Sequence, residues 1–123
     1  MSRTAKQRRR SHRHGIAAEY AALLFLLLKA YRPLAMRYKT PVGEIDLVLK
    51  RGGTLVFVEV KARADAASAA EAVHGANRAR VVRAAQYFIA GRPEFADHPV
   101  RFDVCLVPWY RLPHHIPQAF EAS

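Results

Sequence analysis

Residues 43–63, GEIDLVLKRGGTLVFVEVKAR, set the architecture. Two runs rich in Val, Leu and Ile flank Gly52-Gly53, the composition of two antiparallel strands around a two-residue turn. Side chains alternate faces along a strand, so parity sorts them. Glu44, Asp46 and Val48 share one face of the first strand, opposite Ile45, Leu47 and Leu49. On the second strand Leu55, Phe57, Glu59, Lys61 and Arg63 share a face, opposite Val56, Val58, Val60 and Ala62. A turn on the two glycines sets Arg51 against Thr54, which carries Asp46 against Glu59 and Glu44 against Lys61. Directly opposed residues have Cβ atoms about 5 Å apart.

Two carboxylates facing each other repel unless something compensates. A shared proton, a neighbouring Lys or Arg, or a divalent cation would each do so. The cation reading is the sharpest, because Mg²⁺ is typically held by one or two carboxylates together with waters and substrate phosphate oxygens. The main-chain carbonyl of Val60 offers a further ligand. Lys61, two residues beyond Glu59 on the same face, would point at the same place. There an ammonium group can orient or help deprotonate a water and offset charge building on a phosphorane-like transition state. The ordinary alternative is a solvated hairpin face, with Glu44 and Lys61 as a surface ion pair.

Outward from the hairpin, residues 15–31 read as a strongly apolar helix that Arg32-Pro33 ends. Residues 34–40 alternate as a short strand, punctuated by Pro41 and Gly43. A second helix covers roughly residues 70–90, its first turns weakened by Gly75 and Asn77, and residues 99–107 alternate as a last strand. The expected fold is a small α/β domain with a mixed sheet flanked by helices, in the order α-β-β-β-α-β. Residues 1–14 are expected to be a disordered basic tail, 15–110 the domain, and 111–123 a loosely ordered C-terminal tail. Glu19 sits on the apolar face of the first helix with Gly15, Ile16, Ala22 and Leu23 at helical spacing. A buried carboxylate needs a partner or a metal, so Glu19 is either a third acid at the hairpin or the mate of a core-edge arginine. Arg78, Arg80 and Arg83 on the second helix, with Arg63 on the Lys61 face, are candidate phosphate contacts.

The chain has 123 residues, of which 51% are hydrophobic, enough for one packed domain. Its formal charge of +10 calls for a polyanionic partner, nucleic acid before an anionic membrane. Six of the twenty Lys and Arg lie in residues 1–14. The single Cys105 excludes an internal disulfide and fits a reducing compartment. The apolar run after the basic start is short for a bilayer span, Glu19 interrupts it, and no small-residue cleavage site follows Lys29. No membrane association and a cytoplasmic location are therefore expected. The four histidines at 74, 98, 114 and 115 lack the spacing of a zinc site.

The stretches Gly43-Glu44-Ile45-Asp46-Leu47-Val48 and Phe57-Val58-Glu59-Val60-Lys61-Ala62-Arg63 together resemble the YraN-like family of uncharacterised bacterial proteins. The resemblance runs from Gly15 and Glu19 to Arg101-Phe102-Asp103. It implies the restriction-endonuclease-like superfamily, whose signature is an acid followed by (D/E)-x-K. By that resemblance Asp46, Glu59 and Glu19 are metal-site acids for Mg²⁺ or Mn²⁺, and Lys61 is the catalytic lysine. The implied activity is hydrolysis of phosphodiester bonds in DNA more than RNA, on branched or repair intermediates, with pairing as a homodimer. Where the family carries a lysine near the start of the second helix, this chain has Asn77, with Arg78 or Arg80 as substitutes. A nucleic-acid-binding module that keeps the fold without turnover is the alternative, and a basic structural or ribosome-associated protein is a third reading.

Overall fold

The computed structural model describes residues 5–75, 77–108 and 111–122, with the side chains of residues 5–14 and Asn77 outside the described set. The chain runs α1 (Ala5–Leu27), β1 (Arg32–Thr40), β2 (Gly43–Arg51), β3 (Thr54–Lys61), α2 (Ala66–His74), α3 (Asn77–Ala90), β4 (Val100–Leu106) and β5 (His114–Phe120), with one 3-10 turn at Pro93–Phe95. The five strands form one sheet in the order β1-β2-β3-β4-β5. All neighbours are antiparallel except β3 and β4, which are parallel. A parallel pair needs a long crossover, and α2 with α3 supply it.

Both sheet faces are covered, each by its own core. On one side Ala18, Ala22 and Leu26 of α1 pack on Leu47, Leu49, Val56, Val58 and Cys105. On the other, Ala72, Val81, Ala85 and Phe88 of α2 and α3 pack on Ile45, Val48, Phe57, Phe102 and Val104. This explains why β2 and β3 read as nearly continuous apolar runs: a strand buried on both faces has no solvated side. It also removes the solvated-face alternative for most of the hairpin, where residues 47–49 and 55–58 are buried.

From Arg51–Thr54 to Leu47–Val58 the hairpin register is the expected one, and the expected pairs Asp46 with Glu59 and Glu44 with Lys61 lie beyond the end of the ladder. Arg51 pairs with Thr54, Leu49 with Val56 and Leu47 with Val58. Gly52 takes φ 59°, the left-handed conformation that glycine enters without the Cβ penalty.

Four expectations need correction. The single helix over 70–90 is two, because α2 starts earlier and stops at Gly75. Asp65 caps its start by accepting from the Ser68 N–H (3.2 Å), and the Gly75 N–H closes its end on the Glu71 carbonyl (2.7 Å). The element order is therefore α-β-β-β-α-α-β-β. Residues 5–14, expected to be disordered, continue α1 as helix; Ala, Lys, Gln and Arg are strong helix formers, and no Gly or Pro interrupts them. The C-terminal tail contains β5, which is anchored to Asp103 by a Gln118 N–H donated over 3.0 Å.

The fourth correction concerns β2. Ile45 packs with the α3 core while Leu47 and Leu49 pack with the α1 core, so the alternation breaks at Asp46. Strand β1 breaks in step: Met36 lies on the α1 side and Tyr38 on the α3 side. Arg37 between them has φ 46°, a conformation non-glycine residues rarely adopt. The flanking pairs, Met36 with Leu47 and Tyr38 with Ile45, set Arg37 opposite Asp46.

Candidate functional site

The site lies where β2 parts from β3. The ladder between them ends at the Leu47–Val58 pair. Pairs flanking a two-residue turn exchange both backbone bonds, and every second pair repeats this, so the next such pair would be Ile45 with Val60. There the Val60 N–H donates instead to Asp46 Oδ2 at 2.8 Å. A side chain has taken the place of a main-chain acceptor. Asp46 is thereby fixed one peptide unit from Glu59. In a strand the carbonyl leaves on the same side as the N–H of its own residue, so the Val60 carbonyl is directed toward β2 as well.

Glu59 is 4% exposed and extends from β3 on the α2–α3 side, where Leu55 and Phe57 also lie. Lys61, half-buried on the same side, has Nζ 3.4 Å from Glu59 Oε1. The two residues thus share a face, as period 2 places them. Glu44, expected opposite Lys61, is exposed at the strand start.

Burial is the main force on Asp46, raising its pKa from 3.8 to about 7 against the lowering effect of the Val60 N–H. The negative charges of Glu19, Glu59 and Glu44 push it further up, in that order. Three carboxylates therefore bear electrostatically on a fourth. That is a local excess of negative charge in a chain whose net charge is +10.

Glu19, 14% exposed at its side chain, faces the sheet from α1 and pairs with Arg37, Oε1 to Nε 3.4 Å. The core-edge arginine is thus its direct partner. Among the described residues no three His, Cys, Asp or Glu side chains stand together closely enough to hold a metal ion. Asp46 reaches β3 through its bond to the Val60 N–H, and Glu59 is the preceding residue of that strand, so both bring hard oxygen donors of the type Mg²⁺ and Mn²⁺ take.

The positions of the arginines differ. Arg80 and Arg83 are exposed on the outer face of α3, Arg63 is exposed just beyond β3, and Arg78 is half-buried. The family-lysine position, Asn77, has its side chain outside the described residues. Helix α3 is pressed against the start of β2: a Cβ at Gly43 would collide with the Arg80 carbonyl oxygen. Thr40 Oγ1 accepts the Gly43 N–H (3.0 Å) and donates to its carbonyl (2.7 Å), so the β1–β2 turn is held at this contact. A glycine read in sequence as turn punctuation in fact sets the distance between α3 and the site strand.

Two further clusters have no role assigned from the sequence, although Asp103 stands there as a candidate support for Arg101 or a strand end. Arg37 is the first; its sole signal was a charge between Met36 and Tyr38, two residues of a strand that switches faces. The second is centred on Asp103, which is fully buried and accepts from Arg101 through both Nε and Nη2 (2.8 Å each). His115 Nε2 lies 2.6 Å from Asp103 Oδ2, and Arg101 also donates to the Tyr31 hydroxyl. Desolvation raises the Asp103 pKa, but the bonds from His115, Arg101 and the Gln118 N–H outweigh it and hold the carboxyl below its ordinary value. This network ties β5 and Tyr31, in the turn between α1 and β1, to the sheet.

Residues 18–107 match the uncharacterised protein family UPF0102. The chain belongs to that family. A UPF0102 protein of Methylorubrum extorquens is 50% identical over 115 residues, 94% of this chain and 90% of that protein. One of Rhodopseudomonas palustris is 47% identical over 119 residues, 97% and 88% of the two chains. A third, from Rhizobium etli, is 44% identical over 113 residues, 92% and 93%. The matched family region spans α1 from Ala18 through β4, and so includes Glu19, Asp46, Glu59 and Lys61. Among the described residues no helix is long and apolar enough to cross a membrane.

Proposed function

We propose that this UPF0102 protein is a divalent-metal-dependent nuclease with a restriction-endonuclease-like core, hydrolysing phosphodiester bonds in DNA. The observation that carries the reading is the substitution of Asp46 for a main-chain acceptor at Val60, which holds a buried carboxylate at the residue next to Glu59, at the point where β2 and β3 separate. A structural ion pair has no need of this arrangement. It costs the fold a buried carboxylate whose pKa is pushed to about 7.

In this reading Asp46 and Glu59 hold Mg²⁺ or Mn²⁺, with the Val60 carbonyl as a main-chain ligand and Glu19 contributing from α1 through water. Bound there, the cation would polarise a phosphodiester oxygen and lower the pKa of a coordinated water. Lys61, beside Glu59, orients that water or stabilises charge on the phosphoryl oxygens. Arg37 neutralises Glu19 and keeps α1 seated against the acidic end of β2. Arg63 just beyond β3, and Arg80 and Arg83 on α3, all exposed, give phosphate contacts.

The test is cleavage of linear, flapped and branched DNA by purified protein with Mg²⁺, with Mn²⁺ and with chelator. Activity is expected only with metal, and to be lost in Asp46→Asn, Glu59→Gln and Lys61→Ala. Cleavage persisting at the wild-type rate in all three variants would refute the assignment. Salt-sensitive binding to DNA with no cleavage of any substrate would leave the fold as a binding module.

A further inference from the structure

Helix α3 divides its residues sharply between two faces. Val81, Ala84, Ala85 and Phe88 are buried in the core against the sheet. The outer face carries Ala79, Arg80, Arg83, Gln86, Tyr87 and Ala90, all exposed. No Asp or Glu occurs anywhere in the helix. Arg80, Arg83 and Tyr87 follow one another at spacings of three and four, which sets their side chains in one row along the helix. Tyr87 is 51% exposed, although its neighbour Phe88 is buried among the rings of Tyr38, Phe57 and Phe95. Among the described residues none of these three side chains has a hydrogen bond, an ion pair or a ring contact.

The row begins beside the candidate site. The Arg80 carbonyl lies against Gly43, and Asp46 is three residues further along β2, about 10 Å at the strand rise. Helix α3 covers the side of the sheet to which Glu59 and Lys61 extend. Two turns on, about 10 Å along the helix axis, the row ends at Tyr87. Guanidinium groups keep their charge at any working pH and meet phosphates, while a ring with a free face meets a base. A lipid surface would need exposed aliphatic side chains, and this face has none larger than alanine. An acidic peptide would use the arginines and leave the ring idle. A duplex would do the same, because its bases are stacked inside. An unpaired strand uses all three, its phosphates on Arg80 and Arg83 and a base on Tyr87.

We propose that the outer face of α3 is a track for unpaired nucleic acid, with Tyr87 as the residue that stacks on a base and sets a preference for single-stranded or flapped substrate over continuous duplex. The proposal deepens the nuclease reading and rests on it for nucleic acid as the partner. Arg80 and Arg83 attach either form through its phosphates, and Tyr87 alone distinguishes them.

The test uses the full chain with chelator present, so that nothing is cut, and fluorescence anisotropy on a single-stranded oligonucleotide and a blunt duplex of equal length. At fixed salt the wild type is expected to bind the single strand more tightly. Tyr87→Ala should lose about tenfold on the single strand, the scale of one stacked base, and less than about twofold on the duplex. Tyr87→Phe keeps the ring and should bind as the wild type does. The Arg80→Gln/Arg83→Gln variant should lower the slope of log affinity against log salt on the single strand by about 1.4, the share of two phosphates. Because all three residues are exposed, these variants are expected to melt as the wild type does. Equal losses on both ligands in Tyr87→Ala, no loss on either, or a Tyr87→Phe variant as weak as Tyr87→Ala would overturn the track. So would a wild type that prefers duplex or binds neither ligand. Release of the bound strand by polyglutamate as readily as by unlabelled DNA would overturn it in favour of an acidic polypeptide. Failure of wild-type cleavage with the binding contrast intact would remove the nuclease reading and leave the track standing.

Discussion

Replacing Asp46 with asparagine should make the metal-free protein more stable at neutral and alkaline pH. Asp46 carries a pKa of about 7 in the fold and 3.8 ordinarily, chiefly because it is buried. Below 3.8 both folded and unfolded chains hold the proton, and Asp46 is neutral for stability. Between 3.8 and about 7 the folded chain keeps a proton that the unfolded chain has released, so stability falls as pH rises. Above that window the penalty is complete. At about 1.4 kcal/mol for each pH unit of the gap, it amounts to at most about 4 kcal/mol at pH 8. The asparagine side chain keeps an oxygen for the Val60 N–H and carries no charge, so Asp46→Asn removes the penalty without vacating the bond. Denaturant unfolding of both proteins with chelator, at several pH values from 4 to 8, gives the difference directly and cancels the titrations of groups that do not interact with Asp46. The two stabilities should converge at the acid end and diverge in favour of the variant by about 1–4 kcal/mol at the alkaline end. Saturating Mg²⁺ should then stabilise the wild type, by about 2.7 kcal/mol at a hundredfold excess over Kd, and leave the variant unmoved. A variant less stable than wild type at pH 8, or two pH profiles running parallel, would show that burial does not hold the Asp46 proton.

Asp103→Asn should be damaging: it leaves Arg101 and His115 facing an uncharged partner in a fully buried place, a loss of about 3–5 kcal/mol measurable by denaturant unfolding. The sign with pH is opposite to that of Asp46. A carboxyl held below its ordinary pKa stabilises the fold above the unfolded value, and that stability drains away as pH falls through the folded one. Acid unfolding of the wild type should therefore be steeper than that of the Asp103→Asn variant. Gly43→Ala should cost about 1–3 kcal/mol, since the new Cβ meets the Arg80 carbonyl and α3 must shift. An unchanged melting temperature in that variant would mean that α3 does not press on β2 at this point.

What could be read from the sequence was whatever a local interaction governs. The hairpin register was legible because Gly52-Gly53 fixes it within a few residues, and the apolar runs of β2 and β3 announced strands. Glu59 and Lys61 share a face by period 2 alone. The face switch at Asp46 was not legible, since it depends on Arg37 adopting a left-handed conformation in the neighbouring strand and on α1 supplying Glu19. Strand β5 was hidden for the same kind of reason. Two prolines and two histidines read as irregular tail, and the pairing is secured by Asp103, twelve residues before His115. The break between α2 and α3 was half visible: Gly75 and Asn77 weakened the helix pattern, but a stop there required the Asp65 cap to begin a separate helix upstream.

All of the proposed chemistry depends on Asp46 and Glu59 holding one cation between them. Calorimetric titration of Mn²⁺ into the wild type, Asp46→Asn and Glu59→Gln at pH 8 examines that dependence without any substrate. One saturable site in the wild type, absent from both variants, is the result expected. Equal heats in all three proteins, or no saturable binding in any, would mean that the two carboxylates share no ion.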